Sequence, residues 1–339
     1  MPSVVSAFFR EFSSTRASRH GDILPVRVAA TRPADSTHPA SPPALPAPPV
    51  RPAHVIRLLA IDIDGTLLDS RGRLPDAHRD AVVDTHARGI EIALVTGRSF
   101  HFTRPIANLL PIPLTLICNN GALVKDREGG TAMRRLLPRE TARRVLAETQ
   151  AYEDSVAIIF DTAPQSANHE RQMVFERMDW SHPHRRGYFE KNKAFIAQTP
   201  GPLADVLSED PVQVMFNGRV ARVRALFSAL RSMPIADQFT VAMTEYETRD
   251  FSLVDINAAA CSKGTTLAQW VDRRGLTRDE VMAVGDNLND VEMLDFAGLA
   301  VVMGNATVAL KTRGYRITGS NDDNGLAAAI RSCVLNQRR

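Results

Sequence analysis

The sequence predicts an α/β protein, a doubly wound parallel sheet interrupted by an inserted α+β segment. Three observations carry that reading. Apolar runs of strand length alternate with helical stretches over residues 55–124 and again after residue 257. Four of those runs end on small polar clusters, at Asp62, Thr96, Asn119 and Asp286. Between the two blocks the rhythm changes, and strand candidates crowd together with only two helices among them.

Taken in order, the apolar run 55–61 breaks into the loop Asp62-Ile63-Asp64-Gly65-Thr66 and reads as a buried strand. Residues 75–88 read as a helix with Ala81, Val82 and Thr85 on one side and Gly89 as its stop. A second strand over 90–95, a helix running to 110 and a third strand over 114–118 complete the first block. In the insert, strands are expected at 156–160, 211–216, 239–244 and 251–256, with helices near 139–150 and 219–233. That pattern suits an antiparallel sheet with helices on one face. Residues 162–207, rich in charge, His, Gly and Pro, yield no assignment. The first rhythm then returns: a helix over 263–274, a strand over 281–285, a helix over 291–296, a strand over 299–303 and a closing helix over 325–335. The expected division is a tail (1–54), a core (55–124 with 258–339) and an insert (125–257).

At 339 residues the chain is long enough for two ordinary domains. Hydrophobic residues make up 44% and charged residues 23%, the balance of a soluble globular protein. No apolar run approaches the roughly 18 residues a membrane helix needs, so a membrane location is not expected. The net charge of +3 sits entirely in residues 1–54, where six arginines face three acids; the rest balances at 35 basic and 35 acidic residues. Without a basic stripe in the folded part, nucleic acid is not an expected partner. The tail also holds ten of the 21 prolines, which predicts disorder. Its Arg- and Ser-rich composition fits either a transit peptide or an upstream extension without function. Cys118, Cys261 and Cys333 match no metal or redox spacing and read as buried thiols in a reducing, cytoplasmic setting.

The polar clusters form an ordered set: Asp62-Ile63-Asp64-Gly65-Thr66-Leu67-Leu68, Thr96-Gly97-Arg98, Asn120-Gly121-Ala122, Ser262-Lys263-Gly264 and Gly285-Asp286-Asn287-Leu288-Asn289-Asp290, closed by Asn321-Asp322-Asp323-Asn324-Gly325-Leu326-Ala327. Together they resemble the haloacid dehalogenase superfamily, in particular its Cof-type, class IIB branch of small-molecule phosphatases. The similarity covers residues 55–335, and the insert lies where that branch places its cap. It implies a Rossmann-like core, an α+β cap that sets specificity, Mg²⁺ as cofactor and a small phosphorylated metabolite as substrate.

The residue types suit that chemistry. Phosphate ester hydrolysis needs a nucleophile, an acid for the leaving oxygen and positive charge around the phosphoryl group. Asp62 at a strand tip is the expected nucleophile, and Asp64 the general acid and base. Asp286, Asp62 and the Asp64 carbonyl would hold Mg²⁺, a hard cation that takes oxygen ligands. Lys263 follows Ser262, a sound N-cap, yet a cation at a helix N-terminus is electrostatically misplaced unless anions gather beside it. Thr96, with the amides of Gly97 and Arg98, is expected to face phosphate oxygens, and Arg98 to anchor substrate or cap. Asn120 is either a turn residue or, by the resemblance, part of the phosphate site. Asn289 and Asp290 either support the site or merely cap the following helix. His182, His184, Arg185 and Arg186 read as a solvated loop, and Trp180 and Trp270 as packing residues. A phosphomutase on the same scaffold is the nearest alternative, and an inactive binding module a remoter one. A dehalogenase is disfavoured, having no use for Asp64 or magnesium.

Overall fold

The computed structural model describes residues 55–152, 155–161, 172–177 and 193–336. The tail with its expected disorder, Trp180 and the His182–Arg186 cluster lie outside the described residues.

The first block alternates β1 (Leu58–Ile61), α1 (Asp76–Ala87), β2 (Glu91–Val95), α2 (Phe100–Ala107) and β3 (Thr115–Cys118), followed by a hairpin, β4 (Leu123–Lys125) and β5 (Thr131–Arg134). Next come α3 (Arg139–Glu148), β6 (Ser155–Ile159), β7 (Met173–Arg177), β8 (Ile196–Gln198), β9 (Gln213–Gly218), α4 (Val220–Arg231), β10 (Phe239–Tyr246) and β11 (Phe251–Ala258). The last block is α5 (Lys263–Arg273), β12 (Val281–Gly285), α6 (Val291–Phe296), β13 (Leu299–Val302), α7 (Val308–Lys311), β14 (Arg316–Ile317) and α8 (Gly325–Ile330). An i→i+5 turn then carries α8 on through Arg331–Leu335.

These strands form two sheets. The first has the order β14-β13-β12-β1-β2-β3-β4-β5, parallel from β14 through β3 and antiparallel at β4 and β5. All four residues of β1 are buried. Leu58 and Ala60 pack towards α5 and α6, while Leu59 and Ile61 pack towards α1, α2 and α8. Burial on both faces is why this strand reads as an unbroken apolar run. Helix α1 buries His78, Ala81, Val82 and Thr85, and His78 Nδ1 meets the Leu67 carbonyl at 2.9 Å, fixing the loop that follows β1.

The second sheet has the order β10-β11-β9-β6-β7-β8, antiparallel except for the β7–β8 pair. Its residues alternate. Val214, Phe216, Val254 and Ile256 pack under α3 and α4. Gln213, Met215, Asn217, Leu253 and Asp255 face the other way, towards the carboxyl ends of the first sheet. Helices on one face match the expected α+β insert; the parallel β7–β8 pair does not follow from the sequence.

The expected start of the insert at residue 125 needs adjusting against this topology. The β4–β5 hairpin stays on the first sheet, because Asp126 Oδ1 accepts from Gly129 N at 2.8 Å and Gly130 N at 2.7 Å and turns the chain straight back. The chain therefore leaves the first sheet after Arg134.

Phe216, buried edge-to-face on Tyr152 with ring centroids 5.5 Å apart, anchors the outer core of the second sheet. Replacing Phe216 with Ala should lower unfolding free energy by about 3–5 kcal/mol, because the surroundings collapse only partly into such a cavity. Urea denaturation of both proteins checks this. A loss under about 1 kcal/mol would mean the helices repack freely on the sheet.

Candidate active site

The site is assembled where β1, β2, β3 and β12 end together. Asp62 N still bonds the Val284 carbonyl at 3.0 Å, so the residue closes the β1 ladder and its side chain emerges at the strand tip. Three residues on, Gly65 has φ +84°, and a Cβ there would collide with the Asp286 carboxylate. Glycine lets the loop bring Asp286 close. Thr66, fully buried, donates to Asp286 Oδ1 at 3.1 Å. Asn305 Nδ2 donates to the Gly65 carbonyl at 2.8 Å and lies 3.4 Å from Asp286 Oδ2.

Lys263 opens α5 behind a capping box in which Ser262 accepts from Thr265 N and Thr265 accepts from Ser262 N. Its ammonium is buried at 1% exposure and lies 2.5 Å from Asp62 Oδ1 and 2.6 Å from Asp290 Oδ1. Asp290 Oδ2 accepts from Asp286 N at 2.9 Å and Asn287 N at 3.0 Å. Capping is therefore not all that Asp290 does: its side chain closes a capping box with Asn287 N on the short turn before α6, makes no cap bond to α6 itself, and also holds the Lys263 ammonium. Asn287 caps the short turn before α6 and also clasps the second sheet, with Nδ2 donating to the Glu245 carbonyl at 2.9 Å and Oδ1 accepting from Glu245 N at 3.1 Å.

The electrostatics follow from burial. Desolvation raises the Asp62 carboxyl above the usual carboxylate range, Asp290 adds to the rise, and Lys263 opposes it. Desolvation raises Asp286 too, reinforced by Asp62 and Asp290. For Lys263, burial works against the charge, but Asp290 and Asp62 outweigh it and hold the ammonium protonated. Ligand oxygens of Asp62, Asp286 and Asp290 lie within 4.8 Å of one another. Three carboxylates gather beside one ammonium that pairs with two of them, and an all-oxygen set with that excess of negative charge suits a hard divalent cation. Both Asp290 oxygens are engaged, so Asp62 and Asp286 are the two best placed to serve as ligands.

Asp64, two residues beyond Asp62, is gripped by Arg98, with Nε to Oδ2 and Nη2 to Oδ1 both 2.6 Å. Burial would raise its carboxyl, but the charge and hydrogen bonds of Arg98 prevail and hold it below the ordinary range. Arg98, expected to anchor substrate or cap, is thus a clamp on the second aspartate. Thr96 Oγ1 accepts from Arg98 N at 3.1 Å at the end of β2. Asn120, at φ +52°, accepts from Asn289 Nδ2 at 3.0 Å and donates to Asp255 of β11 at 2.8 Å. Asn120 is therefore more than a turn residue, since it joins the two sheets.

Asp62, Asp64, Thr96, Gly97, Arg98 and Asn289 all open on one cavity of about 350 Å³ roofed by the second sheet. Tyr246, stacked on Phe251 at 6.5 Å, faces the carboxylates from that roof; burial and then Asp64, Asp286 and Asp62 push its hydroxyl well above the ordinary tyrosine range. Residues 59–330 match the family of haloacid dehalogenase-like hydrolases. The chain belongs to that family.

Among this hydrolase's relatives, 5-amino-6-(5-phospho-D-ribitylamino)uracil phosphatase of Bacillus subtilis is 26% identical over 83% of this chain and 96% of its own length. Pyridoxal phosphate phosphatase of Escherichia coli is 27% identical over 82% of this chain and 99% of its own. In fold, the hydrolase is similar to a haloacid dehalogenase-like hydrolase from B. subtilis, with a TM-score of 0.69, 22% identity and coverage of 81% and 99%. It also resembles a subclass IIB sugar phosphatase of this superfamily, with a TM-score of 0.63, 20% identity and coverage of 81% and 98%. The expected superfamily membership, α/β core and phosphatase class of enzyme agree with these findings. No helix among the described residues is long and apolar enough to cross a membrane.

The sequence did not single out Gln213, Tyr246 or Asp255, and marked Asn119 only as the end of a strand; all four line the same cavity. One signal was available: in Gln213-Val-Met-Phe-Asn217, polar side chains occupy strand positions of one parity while Val214 and Phe216 occupy the other. Trp270 packs as expected and also donates to Glu91 Oε1 at 2.7 Å.

Because Lys263 is the shared partner of two buried carboxylates, Lys263→Met and Asp290→Asn should each cost about 3–5 kcal/mol of stability. The double variant should lose clearly less than the sum. Urea unfolding of all four proteins tests the cycle, and simple additivity would show the two groups act independently.

Proposed function

We propose that the hydrolase is a Mg²⁺-dependent phosphatase of small phosphorylated metabolites, acting through a phosphoaspartyl intermediate on Asp62. The observation that carries this reading is the pairing at the cavity floor. Asp62 is fixed by Lys263 next to Asp286, and Asp64 stands at the same opening two residues away.

The residues divide the work as follows. Asp62 attacks phosphorus while the ester P–O bond breaks, and Asp64 hands a proton to the departing oxygen. Water then attacks phosphorus and gives its proton to Asp64, the bond to Asp62 breaks, and inorganic phosphate leaves. Lys263 keeps Asp62 oriented and offsets the charge that accumulates around it. Thr96 receives Arg98 N on its oxygen, so its own proton remains to donate to a phosphoryl oxygen, beside the Gly97 and Arg98 amides. Asn289 lines the same cavity, and Asn120 stands behind it, accepting from its Nδ2. Asp62, Asp286 and the Asp64 carbonyl would hold Mg²⁺, which when bound supplies charge stabilisation to the phosphoryl oxygens.

A cavity of about 350 Å³ under a roof favours a small ester over a protein surface or nucleic acid. The named activities of the relatives on phosphorylated small molecules support the same class. Three free, buried cysteines accord with a reducing compartment such as the cytoplasm.

Asp62→Asn should abolish release of inorganic phosphate from every ester tested, since an amide neither attacks phosphorus nor balances a cation. EDTA should silence the native enzyme and Mg²⁺ restore it, with Ca²⁺ a poor substitute because of its looser coordination. Phosphate release by Asp62→Asn at the native rate would sink the mechanism.

Arg98 supplies a second test. Asp64 must carry a proton to act as acid, and Arg98 opposes that proton. Removing the guanidinium raises the Asp64 pKa, so in Arg98→Ala the alkaline limb of the kcat profile should move to higher pH. KM should rise about tenfold with the loss of a cation near the phosphate. A pH–rate profile that stays in place would mean Asp64 is not the group titrating.

A further inference from the structure

Asp255 lies mid-way along β11, on the face of the second sheet turned towards the catalytic loops, and is 5% exposed. Two carboxamides converge on it, Asn120 Nδ2 at 2.8 Å on Oδ2 and Gln213 Nε2 at 3.0 Å on Oδ1. An ionised carboxylate only accepts hydrogen bonds. Both amides must therefore turn their NH₂ groups to Asp255 and their oxygens away. The oxygen of Asn120 meets Asn289 Nδ2 at 3.0 Å, and the oxygen of Gln213 meets Asn119 Nδ2 at 3.2 Å. One carboxylate thus sets the polarity of four carboxamides, in the order Asn289, Asn120, Asp255, Gln213, Asn119. The middle of the chain belongs to the second sheet, while its ends belong to the β3 and β12 loops of the first. Asn119 and Asn120 stand at φ +51° and +52°, so the turn they form is held by such partners rather than by backbone preference.

We propose that Asp255 is a positioning residue for the phosphate site: by orienting Asn120 it orients the Asn289 amide at the cavity mouth, and so links the seating of the second sheet to phosphoryl binding. The inference rests on the phosphatase reading above. Asp255 itself makes no bond to Lys263 or to any catalytic carboxylate; its charge acts through the two amides. It predicts an effect on every phosphate ester alike, whatever the leaving group, because Asn289 faces the shared phosphoryl end. Burial pushes the Asp255 carboxyl up to about 7, against the Asn120 hydrogen bond and the charge of Lys263. Its other close partner, Gln213 on β9, is a neutral amide. Protonation would let Asp255 donate to one amide oxygen, releasing that arm to turn over.

The test uses the full chain with Mg²⁺ and tungstate, a phosphoryl mimic that stays doubly charged near neutral pH. In Asp255→Asn, inhibition by tungstate should weaken and KM rise by a common factor of about five- to tenfold for several unlike esters, with kcat changing much less, as expected for one lost charge-assisted contact. Asp255→Glu should recover part of the loss. Asn120→Gly, which suits the left-handed backbone, should show the same loss, and adding Asp255→Asn to it should do nothing more. Additive effects in the double variant, or tungstate constants unchanged in folded Asp255→Asn, would overturn the proposal. The Asn120→Gly arm decides alone if the Asp255 variants do not fold. An unsubstituted protein that cleaves no ester would instead overturn the phosphatase reading.

Discussion

Everything at this site depends on one buried ammonium. Lys263 has almost no solvent, and a lone charge so placed would cost several kcal/mol. It is tolerable only because Asp62 and Asp290 lie on either side. Those two anions are in turn tolerable beside each other, and beside Asp286, because the lysine sits between two of them. The requirement propagates into the backbone. Gly264 must be glycine because a Cβ would strike the Glu292 backbone where α5 approaches α6, and Gly285 must be glycine because a Cβ would strike the Asp290 carboxylate. Ser262 caps α5 and also donates to Glu292, so the helix that delivers the lysine is pinned at its first turn. Charge neutralisation in the interior, and not helix propensity, explains a cation at the positive end of a helix.

How much was legible in the sequence follows from how strongly each element is constrained on both sides. Strands β1 and β12 are buried at every residue and β2 and β3 at all but their first, Glu91 and Thr115, so their sequences are near-continuous apolar runs. Helix α1 shows its buried face at His78, Ala81, Val82 and Thr85, with Gly89 at φ +81° ending it as expected. The two-residue strand β14 and the four-residue helix α7 carry too few side chains to show a period. The β4–β5 hairpin was lost for another reason: Asp126 to Gly130 reads as a loop, and nothing local says to which sheet its strands return.

The site divides in the same way. Asp62, Asp64, Asp286 and Lys263 stand at the ends of elements that the sequence marks clearly, and their mutual charges make little sense unless they meet. Asp255, Gln213 and Tyr246 were not marked as site residues because a polar residue on alternate strand positions, the one signal Gln213 offers, is what any solvent-facing surface shows. Only the placement of the second sheet over the first turns that face inward. Asn287 shows how the placement is secured, by exchanging two hydrogen bonds with the Glu245 backbone across the gap. A single residue of the catalytic loop thereby recognises the edge of the roof, so roof and floor share one polar seam.

The two aspartates of the first loop show how one segment yields two chemical roles. Asp62 and Asp64 are separated by Ile63, whose buried side chain locks the loop between them. Desolvation acts on both. Asp62 finds one lysine shared with Asp290 and feels Asp290 itself, so its carboxyl rises. Asp64 meets the Arg98 guanidinium in bidentate geometry, and its carboxyl falls. Environments that push two neighbouring carboxyl groups apart are the usual basis for assigning distinct roles. Here the order at rest is opposite to the one the proposed reaction needs, where Asp62 must be ionised and Asp64 protonated. In the proposed reaction an arriving phosphoryl dianion would compete for Arg98, and each hydrogen bond the guanidinium transferred to phosphate would be one less holding Asp64 ionised. On that reading substrate binding and arming of the acid are one event, which would tie proton delivery to the presence of an ester to cleave.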